Sequence, residues 1–213
     1  MNIRPTTPLE KKILNNKVFQ EATQIGRPRP WHPEGTIKNH IIQLLRHIDR
    51  KYYSKEYYTE LRIIALLHDV GKFAKVPQQP ALFMPDCSRK KQQEFIRDAE
   101  QFRKKYDAPL HIKKKYKAYQ YTRGHAYRSY AFARQFVKKK NILDIIRYHD
   151  LAHEFMSAEK HTGTYDAALF TQIFSRINIE LYTAFLECEH TSRQSNMVSW
   201  FTLQLQKHKI SNL

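Results

Sequence analysis

The sequence predicts an all-α fold, and two observations carry that prediction. In most segments of the 213-residue chain, apolar residues recur every three or four positions, which is the period of an amphipathic helix. Only 5 glycines are present, which is few for the many tight turns of an all-β protein. Hydrophobic residues make up 41% of the chain, enough for a core. The length fits one domain, residues 1–213, with a basic insertion at about 74–123.

Two helices are expected before the central motif. The apolar positions of residues 1–24 predict one amphipathic helix, and the three prolines of residues 25–35 predict a loop, because proline excludes a regular helix. Thr36 is a suitable N-cap for the second helix. One face of this helix carries His40 among the aliphatic residues Ile37, Ile41, Leu44, Leu45 and Ile48. A lone histidine on such a face is more often a core residue than a ligand.

The central motif follows a third helix, for which Ser54 is the expected cap. The apolar run 63–67 has the length of a buried helix and leads into His68-Asp69-Val70-Gly71-Lys72. Gly71 is expected to end the helix, because glycine adopts positive φ without a Cβ penalty. An imidazole beside a carboxylate can ligate a divalent metal, or the pair can simply be satisfied by backbone hydrogen bonds. Ligands from other segments decide between these two interpretations.

Two more histidines fall on apolar faces later in the chain. His125 follows Gly124 at the start of a helix, and the lysines at 138–140 are expected to favour the C-terminal end of that helix through its dipole. His149 continues the apolar face of the next helix, formed by Ile142, Ile145 and Ile146. His153 lies one turn further on, so it is an alternative ligand on the same face.

A late carboxylate completes the set of candidate ligands. Residues 165–191 predict one long helix or two joined helices, whose buried stripe ends at Cys188 or Glu189. Because burying a lone charge is expensive, Glu189 needs a partner. Residues 197–205 predict a final amphipathic helix.

The charge and the cysteines indicate which partners and compartment to expect. The formal net charge of +17 favours polyanionic partners, namely nucleotides or nucleic acid. Residues 111–123 interleave basic and aromatic side chains, a pattern that suits a nucleic-acid contact and a solvated loop equally well. No apolar run approaches the roughly 20 residues of a membrane span, and residues 1–14 lack the apolar core of a signal peptide. With two cysteines and no disulfide framework, a cytoplasmic protein without a membrane partner is expected.

The order of these residues resembles the HD superfamily of metal-dependent phosphohydrolases. The strongest match is Leu66-Leu67-His68-Asp69-Val70-Gly71-Lys72, with His40 at a suitable distance upstream. His32-Pro33-Glu34-Gly35 resembles the loop that introduces the HD domain of some bacterial tRNA nucleotidyltransferases. Within that loop, His32 either fixes the loop or reaches the substrate, and the structural role is favoured. The resemblance implies a helical bundle of the HD-domain type.

The second half of the chain continues the resemblance and brings one departure from it. Residues 124–133 are similar to the third-histidine helix of HD enzymes, including the HD nuclease of type I CRISPR systems, and residues 148–150 to their fourth-histidine segment. The family usually closes its site with an aspartate, where this chain has Glu189. The resemblance implies one metal ion held by His40, His68, Asp69 and Glu189. It implies a second ion held by His125, His149 and a bridging Asp69.

The resemblance also implies a reaction and its cofactor. Imidazole and carboxylate ligands suit one or two ions of Mn, Fe, Co, Ni or Zn better than Ca, and Mg is compatible. The expected activity is hydrolysis of a phosphomonoester or phosphodiester of a nucleotide or nucleic acid by metal-activated water. Asp69 and Lys72 are the expected catalytic residues, and Lys72 and Arg123 are expected to neutralise phosphate charge. The alternatives are an HD scaffold weakened by Glu189 that binds nucleic acid, and a regulator that acts on a signalling nucleotide.

Overall fold

The computed structural model describes residues 3–26, 34–74, 124–189 and 195–210, together with scattered positions between 88 and 104. Across these residues, the regular secondary structure is entirely helical, which confirms the all-α prediction. In chain order the helices are α1 (Pro8–Leu14), α2 (Lys17–Thr23), α3 (Ile37–Tyr52), α4 (Tyr58–Leu67), a 3₁₀ helix (Val70–Ala74), α5 (His125–Ala133), α6 (Lys140–Tyr148), α7 (Leu151–Thr162), α8 (Ala167–Phe174), α9 (Ile179–Glu189) and α10 (Ser195–Lys207).

The N-terminal segment forms two short helices, so the prediction of one helix over residues 1–24 is wrong. Thr7 caps α1, since its hydroxyl accepts a hydrogen bond from Glu10 N at 3.1 Å. Asn16 caps α2 in the same way and accepts from Phe19 N at 3.1 Å. Because asparagine is among the best N-caps, Asn16 starts a new helix where apolar periodicity alone suggested a continuous one.

Of the two later caps that the sequence predicts, one is confirmed and one is wrong. Thr36 Oγ1 accepts from Asn39 N at 3.2 Å and starts α3 as expected. Ser54 does not cap α4, which begins after Tyr57 without a side-chain cap. Ser54 and Tyr57 both have positive φ, at 57° and 65°. The turn between α3 and α4 therefore places Ser54 outside the extended conformation that an N-cap requires.

The lysines at 138–140 belong to the start of α6 and not to the end of α5, which corrects the dipole prediction. Helix α5 ends at Ala133, and Phe136 N donates to Ala133 O at 2.9 Å in the turn that follows. Lys139 is the N-cap residue of α6, and Lys140 pairs with Asp144 one turn later in that helix. An ion pair with i+4 spacing favours Lys140 here, even though the dipole does not.

The core surrounds α4, where every residue from Leu61 to Leu67 is buried. Helices α3, α6 and α9 pack directly on α4, and α5 packs on the 3₁₀ helix and on α6. One long helix or two helices were predicted for residues 165–191, and the structure has two there, α8 and α9. A layer of aromatic side chains joins α8, α9 and α10, namely Phe170, Phe174, Tyr182 and Phe201.

No helix among the described residues has the length and apolarity that crossing a membrane requires. The predicted basic insertion at about 74–123 lies largely outside the described residues. The five helices that carry or support the candidate ligands, α3, α4, α5, α6 and α9, are all within the described ranges.

Candidate metal centre

Four of the segments that carry predicted ligands meet at one place in the fold. His40 lies in the first turn of α3, and His68 and Asp69 directly follow α4. His125 is the first residue of α5, and His149 directly follows α6. His40 keeps 18% of its side chain exposed, whereas the other four side chains are buried. Because each ligand lies at a helix end, the packing of the four helices brings them together.

Asp69 is the carboxylate that the two halves of the centre share. Its Oδ2 atom lies 3.6 Å from His40 Nε2 and 3.4 Å from His68 Nε2. Its Oδ1 atom lies 3.7 Å from His125 Nε2 and 3.4 Å from His149 Nε2. Two groups of potential ligands result, each with its ligand atoms within 4.8 Å of one another: His40, His68, Asp69 and Asp69, His125, His149. One oxygen of Asp69 faces each group, so this carboxylate could bridge two ions if both groups held one.

Contacts on the far side of the rings fix the orientation of two histidines. His68 Nδ1 lies 3.0 Å from Ala65 O, and His149 Nδ1 lies 3.0 Å from Ile146 O. Phe185 of α9 packs edge-on against the His68 ring, with 5.2 Å between the ring centroids. A backbone carbonyl that accepts from Nδ1–H leaves Nε2 with its lone pair directed at the centre, as in most histidine metal ligands.

Gly71 lets the two halves of the centre approach each other. A Cβ atom at this position would lie 2.1 Å from His125 O and 2.8 Å from Ser129 N, which leaves no room for any side chain. The Gly71 N–H donates to Ser129 Oγ at 2.8 Å. Gly71 lies in the 3₁₀ helix and does not have positive φ, so the prediction that it ends α4 in a left-handed conformation is wrong. The absence of a Cβ is what this position requires.

Lys72 pairs with the shared carboxylate, because its Nζ donates to Asp69 Oδ2 at 2.6 Å. Burial alone would raise the pKa of Asp69, but the charges of Lys72 and His68 hold it well below its usual range. Asp69 is therefore ionised at neutral pH, as a metal ligand must be. The predicted contact between Lys72 and a phosphate stays a prediction.

The two histidines at opposite ends of the centre have pKa values displaced in opposite directions. Burial lowers the pKa of His40 to about 4, although Asp69 acts to raise it. Burial would also lower the pKa of His149, but Asp150, Asp69 and Glu189 together raise it to about 9. At neutral pH, His40 is therefore ready to donate a lone pair, whereas His149 must release a proton when it binds a metal.

The remaining predicted residues differ in where the structure places them. Glu189 is the last residue of α9, and its Oε1 lies 3.6 Å from His68 Nε2, so it reaches the first group without belonging to it. His153 belongs to neither ligand group among the described residues. His32, Arg123 and the basic, aromatic stretch 111–123 lie outside the described residues. The roles predicted for these three stay predictions.

Asp150 is a carboxylate that the sequence did not single out, and it contacts two histidines of the second group without belonging to that group. Its Oδ2 lies 3.0 Å from His125 Nε2, and its Oδ1 lies 3.5 Å from His149 Nε2. Burial would raise the pKa of Asp150, but His125 and His149 hold it well below its usual range. Asp150 follows the end of α6, so the apolar periodicity of that helix does not indicate whether its side chain faces the core. Its position beside His149 was the one available signal.

The donor atoms of the centre are suited to a metal ion. His68 Nε2 and Asp69 Oδ1 are buried and form no hydrogen bond with any residue that the structure describes. Leaving such atoms unsatisfied is costly, and a cation that accepts their lone pairs removes the cost. Imidazoles with oriented Nε2 atoms, His149 among them once it has released its proton, and ionised carboxylates are common metal ligands. His40, His68, Asp69, His125 and His149 are therefore able to hold a metal ion.

A scan of the chain against protein-family models gives no match, and comparisons with the curated proteins and with the solved structures give none either.

Proposed function

We propose that this protein is a metal-dependent phosphohydrolase that cleaves a phosphomonoester or phosphodiester of a nucleotide or nucleic acid with metal-activated water. The observation that carries the proposal is Asp69, whose two oxygens face two separate pairs of imidazoles at 3.4 to 3.7 Å. A structural His–Asp pair needs neither a second pair of histidines nor a carboxylate shared between them.

The cofactor in this proposal is one or two ions of Mn, Fe, Co, Ni or Zn, with Mg as a further candidate. When bound, such an ion lowers the pKa of water towards neutrality and polarises phosphoryl oxygens. The chain itself holds the metal-ligating side chains in position and in the right charge state. His68 and His149 are held by backbone carbonyls, and Asp69 is kept ionised by Lys72 and the surrounding histidines.

Lys72 supplies the positive charge that a phosphate substrate needs beside the metal ligands. Its ammonium lies 2.6 Å from Asp69 Oδ2 and keeps 19% of its side chain exposed, so it is reachable from solvent. Burial would lower the pKa of Lys72, but Asp69 and Asp150 raise it, and the amine stays charged at neutral pH. A fixed cation at this position would stabilise charge on the phosphoryl oxygens in the transition state.

Two sequence properties support the reaction class and the type of substrate. The order His40, His68-Asp69, His125, His149 and Glu189 resembles the HD superfamily, whose members hydrolyse phosphate esters. The net charge of +17 favours polyanions over neutral substrates. Nucleic acid is therefore preferred over a free nucleotide.

Metal analysis followed by a substrate screen tests the proposal. Purified protein is stripped of metal, reloaded with Mn, Co, Ni, Zn or Mg, and assayed on a generic phosphodiester, on nucleotides and cyclic nucleotides, and on single-stranded DNA and RNA. We expect hydrolysis that depends on the metal and is lost in both the His68→Ala and Asp69→Ala variants. Unchanged turnover in these variants would exclude the centre. Salt-dependent oligonucleotide binding without hydrolysis under any metal would instead favour the nucleic-acid-binding alternative.

A further inference from the structure

We infer that Asp150 is a direct ligand of a second metal ion, together with Asp69, His125 and His149. The inference rests on the proposed function, because it assumes that the centre holds metal. It assigns a carboxylate to the second group of ligands. That group otherwise has Asp69 as its only anionic member.

The two oxygens of Asp150 face the two histidines of that group separately. Oδ2 lies 3.0 Å from His125 Nε2, and Oδ1 lies 3.5 Å from His149 Nε2. The same two Nε2 atoms face Asp69 Oδ1 at 3.7 and 3.4 Å, and they lie 3.3 Å from each other. Both carboxylates therefore converge on the same pair of nitrogens, which is the arrangement expected around one shared cation.

The nitrogen that Asp150 contacts distinguishes a ligand from a residue that merely orients the histidine. Residues that orient a metal-bound histidine contact the ring nitrogen that faces away from the metal. Ala65 O and Ile146 O do this at the Nδ1 atoms of His68 and His149. Asp150 instead contacts the Nε2 atoms, the ones directed at Asp69. Asp150 thus lies on the metal side of the rings.

The chain holds Asp150 in place through Tyr182, a fully buried residue of α9. The Tyr182 hydroxyl lies 3.0 Å from Tyr148 O and 3.2 Å from His149 O, and it accepts from Ala152 N at 3.3 Å. These contacts fix the backbone on both sides of Asp150, at the junction of α6 and α7. The Asp150 side chain remains 23% exposed, so it forms the solvent-facing edge of the second group.

With Asp150 included, the two halves of the centre have matching ligand sets. In the first half, Glu189 lies beside the group of His40, His68 and Asp69, with its Oε1 3.6 Å from His68 Nε2; in the second half, Asp150 lies beside the group of Asp69, His125 and His149, with its Oδ2 3.0 Å from His125 Nε2. Two imidazoles and two carboxylates on each side make the two halves comparable in charge and donor type. We therefore expect the chain to take up two ions and not one.

Manganese titration of the metal-free protein tests this assignment. Bound Mn per chain is measured by elemental analysis after desalting, and the dissociation constants are measured by calorimetry. We expect two ions in the wild-type protein. We expect Asp150→Ala and Asp150→Asn to keep one ion and to bind the other at least about tenfold more weakly. Asp150→Glu, which keeps the carboxylate, should bind both ions more tightly than Asp150→Asn.

Asp144→Asn is the matched control, because it removes the same charge from α6, the helix that Asp150 follows, at a side chain paired with Lys140 away from the centre. It should bind two ions with wild-type dissociation constants, and circular dichroism should show that every variant is folded. Two ions bound with unchanged dissociation constants in Asp150→Asn and Asp150→Ala would overturn this assignment alone. A wild-type protein that takes up no ion would overturn both this assignment and the proposed function.

Discussion

Two clusters of buried charged side chains among the described residues can be compared, and the first of them is complete without any cofactor. Arg62 of α4 donates to Glu10 of α1 through Nε at 2.8 Å and through Nη2 at 3.0 Å. Thr6 donates to the same carboxylate through its N–H and its hydroxyl, each at 2.8 Å. Arg62 also donates to Asp49 and to Arg4 O. Both charged groups of this buried pair therefore have their hydrogen-bond partners within the chain.

The centre around Asp69 is built in the opposite way. Its imidazole nitrogens and carboxylate oxygens face one another mostly at 3.3 to 3.7 Å, and His68 Nε2 and Asp69 Oδ1 form no hydrogen bond with a described residue. A buried ion pair that serves stability satisfies its own atoms, as Arg62 and Glu10 do. Buried atoms without a hydrogen bond, such as His68 Nε2 and Asp69 Oδ1, can be satisfied by a cation. We therefore interpret the Arg62 cluster as structural and the cluster around Asp69 as the metal centre of the proposed function.

The largest effect is expected from removing the shared carboxylate. Asp69→Asn keeps the shape of the side chain but takes away the charge that both ligand groups share. We expect metal-dependent hydrolysis to fall by at least about 10³-fold, because a bound metal supplies several kcal/mol of transition-state stabilisation. Initial rates with saturating Mn measure the effect, with Asp144→Asn as the control. Wild-type rates in Asp69→Asn would show that the centre does not carry the chemistry.

The next largest effect should come from breaking the complete cluster. Arg62→Ala leaves the Glu10 carboxylate buried and unpaired, which costs about 3–5 kcal/mol of folding free energy. Urea denaturation of the metal-free protein measures the loss. The double variant Glu10→Gln with Arg62→Met removes both charges together and should be much less destabilised. A loss below about 1 kcal/mol in Arg62→Ala would mean that this pair does not have the structural role assigned to it.

Periodicity in the sequence was enough to predict most of the centre. His40 and His149 continue aliphatic faces at spacings of three and four, and His68 ends an apolar run, so each was expected to point inward. The structure places all three around Asp69. Periodicity predicts only that each side chain faces the core. Because the helices pack around one core, inward-facing side chains at their ends come close together and form one site.

The parts that the sequence did not predict depend on neighbours that are distant along the chain. Asp150 lies past the end of α6, and only the position of His125 at the start of α5 reveals its role. The requirement for glycine at position 71 comes from His125 O, which no local turn rule includes. The Glu10–Arg62 pair joins residues 52 positions apart, and Glu10 stands in a polar stretch that resembles a solvated surface. Such pairings follow from the tertiary structure and not from the period of either helix.

Metal addition should distinguish the two clusters in a single set of measurements. A ligand that binds the folded state alone stabilises it by about 2.7 kcal/mol at a concentration one hundred times its dissociation constant. Wild-type protein and Arg62→Ala should both gain this increment with Mn, since the Arg62 cluster takes no part in binding. His68→Ala should gain far less. The midpoints of urea unfolding with and without Mn give the values, and an equal gain in His68→Ala would contradict the comparison.

The smallest expected effect is the pH dependence that the complete cluster contributes to stability. Burial would raise the pKa of Glu10, but hydrogen bonds from Arg62 and Thr6 and the charge of Arg62 hold it below its ordinary value of 4.5. A carboxyl whose folded pKa is depressed contributes stability above its ordinary pKa and loses that contribution as the pH falls through the folded pKa. Each unit of depression corresponds to about 1.4 kcal/mol.

Wild-type protein and Glu10→Gln should therefore differ most in free energy of unfolding at pH 6, and the difference should shrink as the pH falls below 4.5. Urea unfolding of metal-free protein across this range measures it, with the exposed Glu56→Gln as the control that should show no such trend. Metal-free protein is required, because acid also protonates the ligands around Asp69 and would otherwise release metal. A difference that stays constant with pH would mean that the Glu10 carboxylate gains nothing from its charge. The cluster would then owe its stability to hydrogen bonding and packing alone.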